Sequence, residues 1–404
     1  MLEYLKKIDS AQLRPGMYVH DLSCDWMTHP FVRNRFVVGA DEIRKIVDAG
    51  IHDVVIDTRR GGDVPQAPGV EQAAAAVETA VQEIAREAPV RTSYRDEYER
   101  AVKIRDQAVN VVRDVMADVR LGKAVAIGQV TPVVQDITES ILRNPGALLG
   151  LLRIKNKDDY TFLHSVSVCT LLVAFCHHRG MDAETVRQAG IGGLLHDAGK
   201  AAIPLEILNK PGKLTDEEFA VIRTHPQVGH DLLKQSGMVG PIPLDIALHH
   251  HERCDGTGYP RRLRDEQISD LAQMAAIVDV YDALTSERCY HEAMPAALAL
   301  RKLYEWSKFH FRPALVQDFM RCIGIYPAGT LVQLASGRLG VVYEPNPGKP
   351  LLPKVNVFFN IRTNVYIRPE VVDLALPRFA ESERIVSHES PKKWNVEPLR
   401  FMPA

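Results

Sequence analysis

The sequence predicts a mainly α protein, a helical bundle with a small α/β module at its N-terminus and a small β appendage at its C-terminus. Three observations lead there. Thr161 to Arg179 is apolar nearly all round, the pattern of a helix buried on every side. From Gly50 to Asp57 apolar residues alternate as in a strand, behind a helical stretch from Gly39 to Gly50. After Tyr326-Pro327 the helical pattern gives way to short strand-like runs separated by turn residues.

The 404 residues suffice for two or three domains with one sizeable core. Lysine and arginine number 49 against 51 acidic residues, a formal net charge of -2. No overall field therefore steers the chain to a nucleic acid polymer or a membrane surface, and an anionic substrate would need local cations. No apolar run reaches the length of a membrane span, the most apolar stretch, Val166 to Cys176, being too short. The first ten residues lack the apolar core of a signal peptide. Cys24, Cys169, Cys176, Cys254, Cys289 and Cys322 form no CxxC pair and read as reduced thiols of a cytoplasmic protein.

In chain order, residues 1–62 read as the N-terminal module, with Leu13 to Val19 a turn that feeds a strand. Trp26 with His29-Pro30-Phe31 reads as a packing corner rather than a site. Residues 63–130 read as a linker and a long helix. Gly61 to Gly69 is linker by composition, Ala73 to Glu87 is helical, and Tyr94 to Arg120 is a charged helix. Its Val102, Ile104, Val109, Val112 and Val115 form a stripe for a neighbouring element or a partner chain. Residues 131–328 read as the central helical domain. Thr131-Pro132 starts a helix that Asn144-Pro145-Gly146 ends. His164 lies in the buried helix, and Asp182 caps the next one, which runs to His196. Gly190, Gly192 and Gly193 let that helix approach its neighbours closely. Thr215 to Glu218 is a capping box whose helix leads to His225-Pro226. Pro243 to His251 is a further helix, Asp255 to Pro260 a turn-rich loop, and Ile268 to Ser286 a helix carrying Asp279 and Asp282. Residues 329–404 read as the β appendage. Thr330–Leu334 and Leu339–Tyr343 flank a Ser336-Gly337 turn, and Val355–Phe359 and Thr363–Ile367 make a second pair.

The chemistry centres on Leu194-Leu195-His196-Asp197-Ala198-Gly199-Lys200. Adjacent His and Asp cannot share a helix face, so a cation gripped by both sits near the helix end, within reach of Lys200. Alone, the triplet fits a buried structural pair equally well. His164, His225, His250, His251 and Asp279 favour a metal, all being hard or borderline ligands. A structural zinc site would usually include thiolates and stop at four ligands, whereas imidazole with carboxylate suits iron or manganese. His177-His178, at the end of the buried helix, reads as solvent-facing.

The ordered series His164, His196-Asp197, Asp279 resembles the HD superfamily of metal-dependent phosphohydrolases. With His225, His250-His251-Glu252 and Asp255-Gly-Thr-Gly-Tyr-Pro260, residues 160–291 resemble the HD-GYP domain, the bacterial cyclic di-GMP phosphodiesterase type. Ile203-Pro204, Ile207-Leu208, Lys210 to Lys213 and Asp279 to Ser286 match as well. Arg14 to Val19, with Trp26 and His29 to Phe31, resembles the uncharacterised domain that often precedes HD-GYP. The resemblance implies two divalent metal ions. One takes His164, His196, Asp197 and Asp279; the other takes Asp197 as a bridge with His225, His250 and His251. It implies hydrolysis of cyclic di-GMP to pGpG, and further to GMP, by a metal-bridging hydroxide attacking phosphorus. Asp197 and Lys200 are the catalytic candidates. Lys200, Arg288, Tyr259 and His291 are the substrate-binding candidates. Tyr259 either stacks on a guanine or pins its loop; Arg288 either contacts substrate or forms a surface ion pair. Docking on diguanylate cyclases through the Gly-Tyr-Pro loop and a homodimer are the partners it allows.

Some positions depart from the family pattern. Tyr160 stands where a Glu supplies a third metal in some members, which points to two, although Asp158 and Asp159 are near. Cys254 replaces a usual aromatic, and His291 a frequent Lys or Arg. The competing readings are a non-catalytic cyclic-dinucleotide sensor or cyclase-docking module, and an HD hydrolase of another cyclic dinucleotide.

Overall fold

The structure is a computed structural model that describes residues 4–22, 35–75, 93–152, 160–210, 212, 214–237, 239–286, 293–346, 349, 351–379 and 382–402. The chain begins with an antiparallel sheet of β1 (Leu5–Asp9), β2 (Tyr18–Asp21), β3 (Phe36–Val37) and β4 (Asp53–Asp57), in the order β1-β4-β2-β3. Helix α1 (Ala40–Asp48) packs on it through Ile46, and Ile8, Met17, Val19, Val54 and Ile56 complete a separate small core. Strand β1 was not anticipated, because Lys6 and Lys7 interrupt its apolar alternation. Lys7 bridges Asp53 and Glu305, at 3.0 Å to each. The corner expected at Trp26 to Phe31 and most of the Ala-rich stretch lie outside the described residues.

The main core is helical. Its helices are α2 (Tyr94–Arg120), α3 (Ile127–Arg143), α4 (Pro145–Leu152), α5 (Tyr160–His178), α6 (Ala183–Leu195), α7 (Asp216–Ile222), α8 (His225–Gln235), α9 (Pro241–His249), α10 (Asp270–Thr285), α11 (Ala296–Trp306) and α12 (Pro313–Ile323). α5 runs through the middle, its Val166, Val168, Leu172, Val173 and Phe175 all buried. By length and composition Thr161–His178 is long and apolar enough to cross a membrane, contrary to the expectation that no stretch is; 78% of it is buried against the rest of the chain. The apolar stripe of α2 meets neighbours in the same chain: Val109, Val112 and Val115 join the main core, and Val102 and Ile104 pack against it. Its buried Glu97 accepts two hydrogen bonds from Arg143, at 2.7 and 2.9 Å.

Two helix starts lie upstream of their expected places. α3 begins at Ile127 and carries Pro132 inside it. A proline there removes one backbone bond, but Val130, Val133, Val134 and Ile137 still bury their face. α9 begins at Pro241, where a first-turn proline loses nothing because that N–H has no helical partner. α11 and α12, for which the sequence reading named no elements, cover α5 and α10 through Leu300, Leu303, Val316 and Phe319.

The C-terminal strands form a five-stranded antiparallel sheet. They are β5 (Leu331–Leu334), β6 (Arg338–Glu344), β7 (Lys354–Asn360), β8 (Val365–Asp373) and β9 (Ile385–His388), in the order β8-β7-β6-β5-β9. The β5–β6 turn uses Gly337 at φ +79°, a conformation that favours glycine. Val332, Val342, Val355, Val357 and Val372 form a small core of their own. Leu331, Leu339, Val341 and Phe358 join the helical core, so the sheet is cemented to the bundle.

Candidate metal centre

The centre is assembled where α6 ends. Asp182 caps the start of α6 by accepting from Thr185 N at 3.0 Å. Gly190, Gly192 and Gly193 then face α3, α9 and α5 with no room for a side chain. A Cβ on each would lie 2.5 Å from Val134 Cγ1, 2.7 Å from Ile246 Cδ1 and 3.0 Å from Cys169 Cα respectively. His196 is the C-cap, Asp197 leaves the helical conformation, and a 3-10 turn follows over Ala198–Ala202. The adjacent pair is therefore delivered at a helix end, as its spacing predicts. Within that turn a Cβ on Gly199 would fall 2.1 Å from His225 O. This backbone-on-backbone contact brings the start of α8, with His225, against Asp197.

Seven predicted ligand candidates meet in the interior. His164 comes from α5, His196 and Asp197 from the end of α6, and His225 from the start of α8. His250 and His251 follow the last turn of α9, and Asp279 comes from α10. Two groups could each hold a cation, with ligand atoms within 4.8 Å of one another: His164, His196 and Asp279, and Asp197, His225, His250 and His251. Asp197 lies between them. Its Oδ2 is 3.3 Å from His196 Nε2 and 3.8 Å from His164 Nε2. Its Oδ1 is 3.3 Å from His225 Nε2 and 3.8 Å from His250 Nε2.

The imidazoles are held by their other nitrogens. His196 Nδ1 donates to Gly193 O at 2.8 Å, His225 Nδ1 to Ile222 O at 2.8 Å, and His250 Nδ1 to Ile246 O at 3.0 Å. His164 Nδ1 meets Asp282 Oδ2 at 2.6 Å, a carboxylate–histidine pair that orients the ring. Each Nε2 thus faces the cluster. His196 Nε2 and Asp197 Oδ1 are buried and make no hydrogen bond. Buried polar atoms rarely go unpartnered, and here they sit among further imidazole and carboxylate donors, which fits a cation.

Protonation follows the same logic. Burial disfavours charge on Asp197, but His196 and Lys200 outweigh it and hold the carboxyl well below its usual range. Burial is likewise outweighed at Asp279, chiefly by His164. Burial, reinforced by neighbouring imidazoles, pushes His250 down to about 3 and His251 well below its ordinary value. Burial also lowers His225, whereas at His196 the adjacent Asp197 overcomes burial and raises it. The ionised carboxylates of Asp197 and Asp279 and the lowered imidazoles of His225, His250 and His251 are in the donor states a divalent cation requires.

Lys200 Nζ sits 2.6 Å from Asp197 Oδ2 and keeps a quarter of its side chain exposed. Tyr259 stacks on His251, ring centroids 4.7 Å apart. Arg288 and His291 lie outside the described residues, as do Asp158 and Asp159; of Tyr160 the described structure gives the backbone, as the first residue of α5. Of the pair expected to face solvent, His177 is exposed, whereas His178 is half-buried. Cys254 points at Asp265 and Gln273 and its thiol is pushed up to about 12 by burial. Cys169, Cys176, Cys254 and Cys322 are free thiols. Sequence reasoning missed Arg223, whose guanidinium lies 5.4 Å from the Tyr259 ring centroid; a cation two residues before His225 was the available signal. It also gave no role to buried Glu252, which accepts from Arg261 N at 2.6 Å and Leu263 N at 2.9 Å and so shapes the loop.

Comparison with known proteins adds an independent line. Residues 5–130 match a domain of unknown function (DUF3391), and residues 152–315 match an HD domain. The chain is 43% identical over 400 residues to the cyclic di-GMP phosphodiesterase PA4108 of Pseudomonas aeruginosa, covering 98% of this chain and 95% of that protein. It is 43% identical over 164 residues to the cyclic di-GMP phosphodiesterase response regulator RpfG of Xanthomonas campestris, covering 40% of this chain and 42% of the relative. Among solved structures, the HDG"Y"P protein Bd1817 from Bdellovibrio bacteriovorus aligns over 78% of this chain and 98% of its own, at 19% identity and a TM-score of 0.47.

Proposed function

This chain belongs to the HD-GYP family of HD-domain phosphohydrolases, and from that premise we propose that it is a metal-dependent phosphodiesterase hydrolysing cyclic di-GMP. The observation that carries the reading is Asp197, set with one oxygen toward each of two histidine clusters. In this reading His164, His196 and Asp279 hold one divalent ion, His225, His250 and His251 hold the second, and Asp197 serves both. Iron or manganese suits that donor set. Such ions supply Lewis acidity toward phosphoryl oxygens and lower the pKa of water at the site.

The chain's own residues do the rest. The Nδ1 contacts keep the imidazoles of His164, His196, His225 and His250 in one orientation, so the cluster is assembled before substrate arrives. Lys200, held at the rim by Asp197, offsets negative charge on the reacting phosphoryl group. Tyr259 offers an aromatic surface for a guanine beside His251. Arg288 and His291, by their place after α10, are proposed to grip the second phosphate or a base edge. The product is linear pGpG, with GMP if the site accepts pGpG again. A homodimer and docking on diguanylate cyclases through Gly258 to Pro260 belong to the same proposal, as does a cytoplasmic location, where free thiols persist.

The test is chromatographic analysis of products from cyclic di-GMP with manganese or reduced iron supplied, beside a mixed cyclic GMP-AMP. Formation of pGpG, faster than cleavage of the mixed dinucleotide, is expected. Preference for the mixed dinucleotide would reassign the substrate. Tight binding of cyclic di-GMP without product would make the chain a sensor.

A further inference from the structure

The N-terminal module touches the catalytic domain at the Gly-Tyr-Pro loop. The turn between α1 and β4, Gly50-Ile51-His52, inserts against Asp255 to Thr257. His52 Nε2 lies 2.9 Å from Asp255 Oδ2, and the His52 ring stacks on Phe309 with centroids 3.8 Å apart. Gly50, at φ +67°, comes so close that a Cβ there would lie 2.7 Å from Thr257 Oγ1. His310 ties the two sides together: its ring Nε2 donates to Gly50 O at 3.2 Å, and its backbone oxygen accepts from Cys254 N at 3.1 Å. The Lys7–Glu305 pair extends the same junction to α11.

The contact continues inward. Asp255 Oδ1 accepts from Thr257 N at 2.9 Å and from Thr257 Oγ1 at 2.6 Å, so one carboxylate answers His52 with one oxygen and shapes the loop with the other. Two residues on, Tyr259 N donates to His251 O at 3.2 Å, and the Tyr259 ring lies on the His251 imidazole. A short path thus runs from His52 through Asp255, Thr257 and Tyr259 to His251 of the metal cluster. The Asp255 carboxyl is held at about 2, its burial outweighed by His52 and Thr257, so Asp255 accepts and His52 donates. His52, Asp255 and His310 could also converge on a cation, but the Nε2 atoms of both histidines already donate, to Asp255 and to Gly50.

We propose that the N-terminal module braces the Gly-Tyr-Pro loop through His52, making His52 a positioning residue that sets Tyr259 against His251 for the phosphodiesterase reaction. This rests on the functional reading above and gives the domain of unknown function a task within it.

Two substitutions in the full-length, metal-loaded protein separate the hydrogen bond from the packing. His52→Phe keeps a ring against Phe309 and removes the donor; His52→Gln keeps an N–H at similar reach and removes the ring. Hydrogen–deuterium exchange of peptides spanning residues 254–260 should be about tenfold faster in His52→Phe, the scale of one lost charge-assisted bond. The kcat for cyclic di-GMP should fall by roughly the same factor, with metal content and melting temperature unchanged. His52→Gln should restore both to within about twofold of wild type. The brace is overturned if loop exchange in His52→Phe matches wild type, if kcat stays at wild-type level while exchange rises, or if His52→Gln fails as badly as His52→Phe. A wild-type protein that does not cleave cyclic di-GMP would refute the functional reading instead, and the exchange experiment would still decide the brace.

Discussion

Asp197 is almost completely buried, yet its two oxygens face different clusters, and in the proposed reading one side chain would serve both halves of the centre. Asp197→Ala should leave less than roughly a few per cent of wild-type turnover, the residue expected after loss of a central electrostatic group. Circular dichroism should stay near wild type, because the apolar faces of α5, α6 and α10 carry the core. Appreciable activity in this variant would show that Asp197 does not join the two sites. Asp282 acts one step further out, on His164 Nδ1 at 2.6 Å. Asp282→Asn keeps the shape but weakens the acceptor, so metal affinity should fall about 10–100-fold, measured by competition with a chromogenic chelator. Asp197 was legible in the sequence as a candidate because His-Asp adjacency is a local feature; the one-turn spacing from Asp279 placed Asp282 on the same helix, but its pairing with His164 depends on how α5 and α10 pack. Arg223 was not legible, since its approach to Tyr259 depends on how two separate segments pack.

At the scale of elements, ligand placement depends on backbone closeness that only glycine permits. Gly199 lies against His225 O and Gly229 N, so the turn after Asp197 and the first turn of α8 touch main chain to main chain. Gly199→Ala should force α8 outward, cost about 1–3 kcal/mol of stability as overpacking does, and separate His225 from Asp197. Denaturant unfolding together with elemental analysis checks this; full metal loading at wild-type stability would contradict it. The sequence announced the caps at Asp182 and Thr215 because their oxygens bond within three residues. It misplaced the starts of α3 and α9, where prolines sit within or at the head of a helix rather than before it. It missed β1 because a strand with Lys6 and Lys7 at its centre carries no apolar alternation; its identity comes from pairing with β4.

At the scale of the whole molecule, the buried helix α5 and the strand pairs flanking it, β1 excepted, are signalled by periodicity, but the docking of the sheets on the core is not. The His52–Asp255 contact joins residues 203 positions apart, and no local pattern foretells it. Buried histidines in this long-range architecture also set how the metal-free protein should respond to acid. In the folded state His225 and His251 lie below the ordinary imidazole value of 6.5, and burial takes His250 and His310 down to about 3. Groups depressed by folding contribute stability that is fully present above 6.5 and is lost as pH falls from there toward about 3, because the unfolded chain binds protons the folded chain does not. His196 works the other way: its raised value contributes stability below 6.5 that is lost as pH rises through the folded value. His178 is lowered by burial as well, so among the described residues five depressed imidazoles outnumber one raised, and the depressed carboxyls of Asp197 and Asp279 respond only below 3.8, outside this window. The melting temperature of chelator-treated protein should therefore fall between about pH 7 and about pH 5. Manganese or reduced iron should raise it at neutral pH, because an ion that binds only the folded cluster stabilises by mass action. Differential scanning fluorimetry across that range, with and without metal, decides it. A metal-free melting temperature that holds steady or climbs on acidification would mean that these histidines are not kept neutral by the fold.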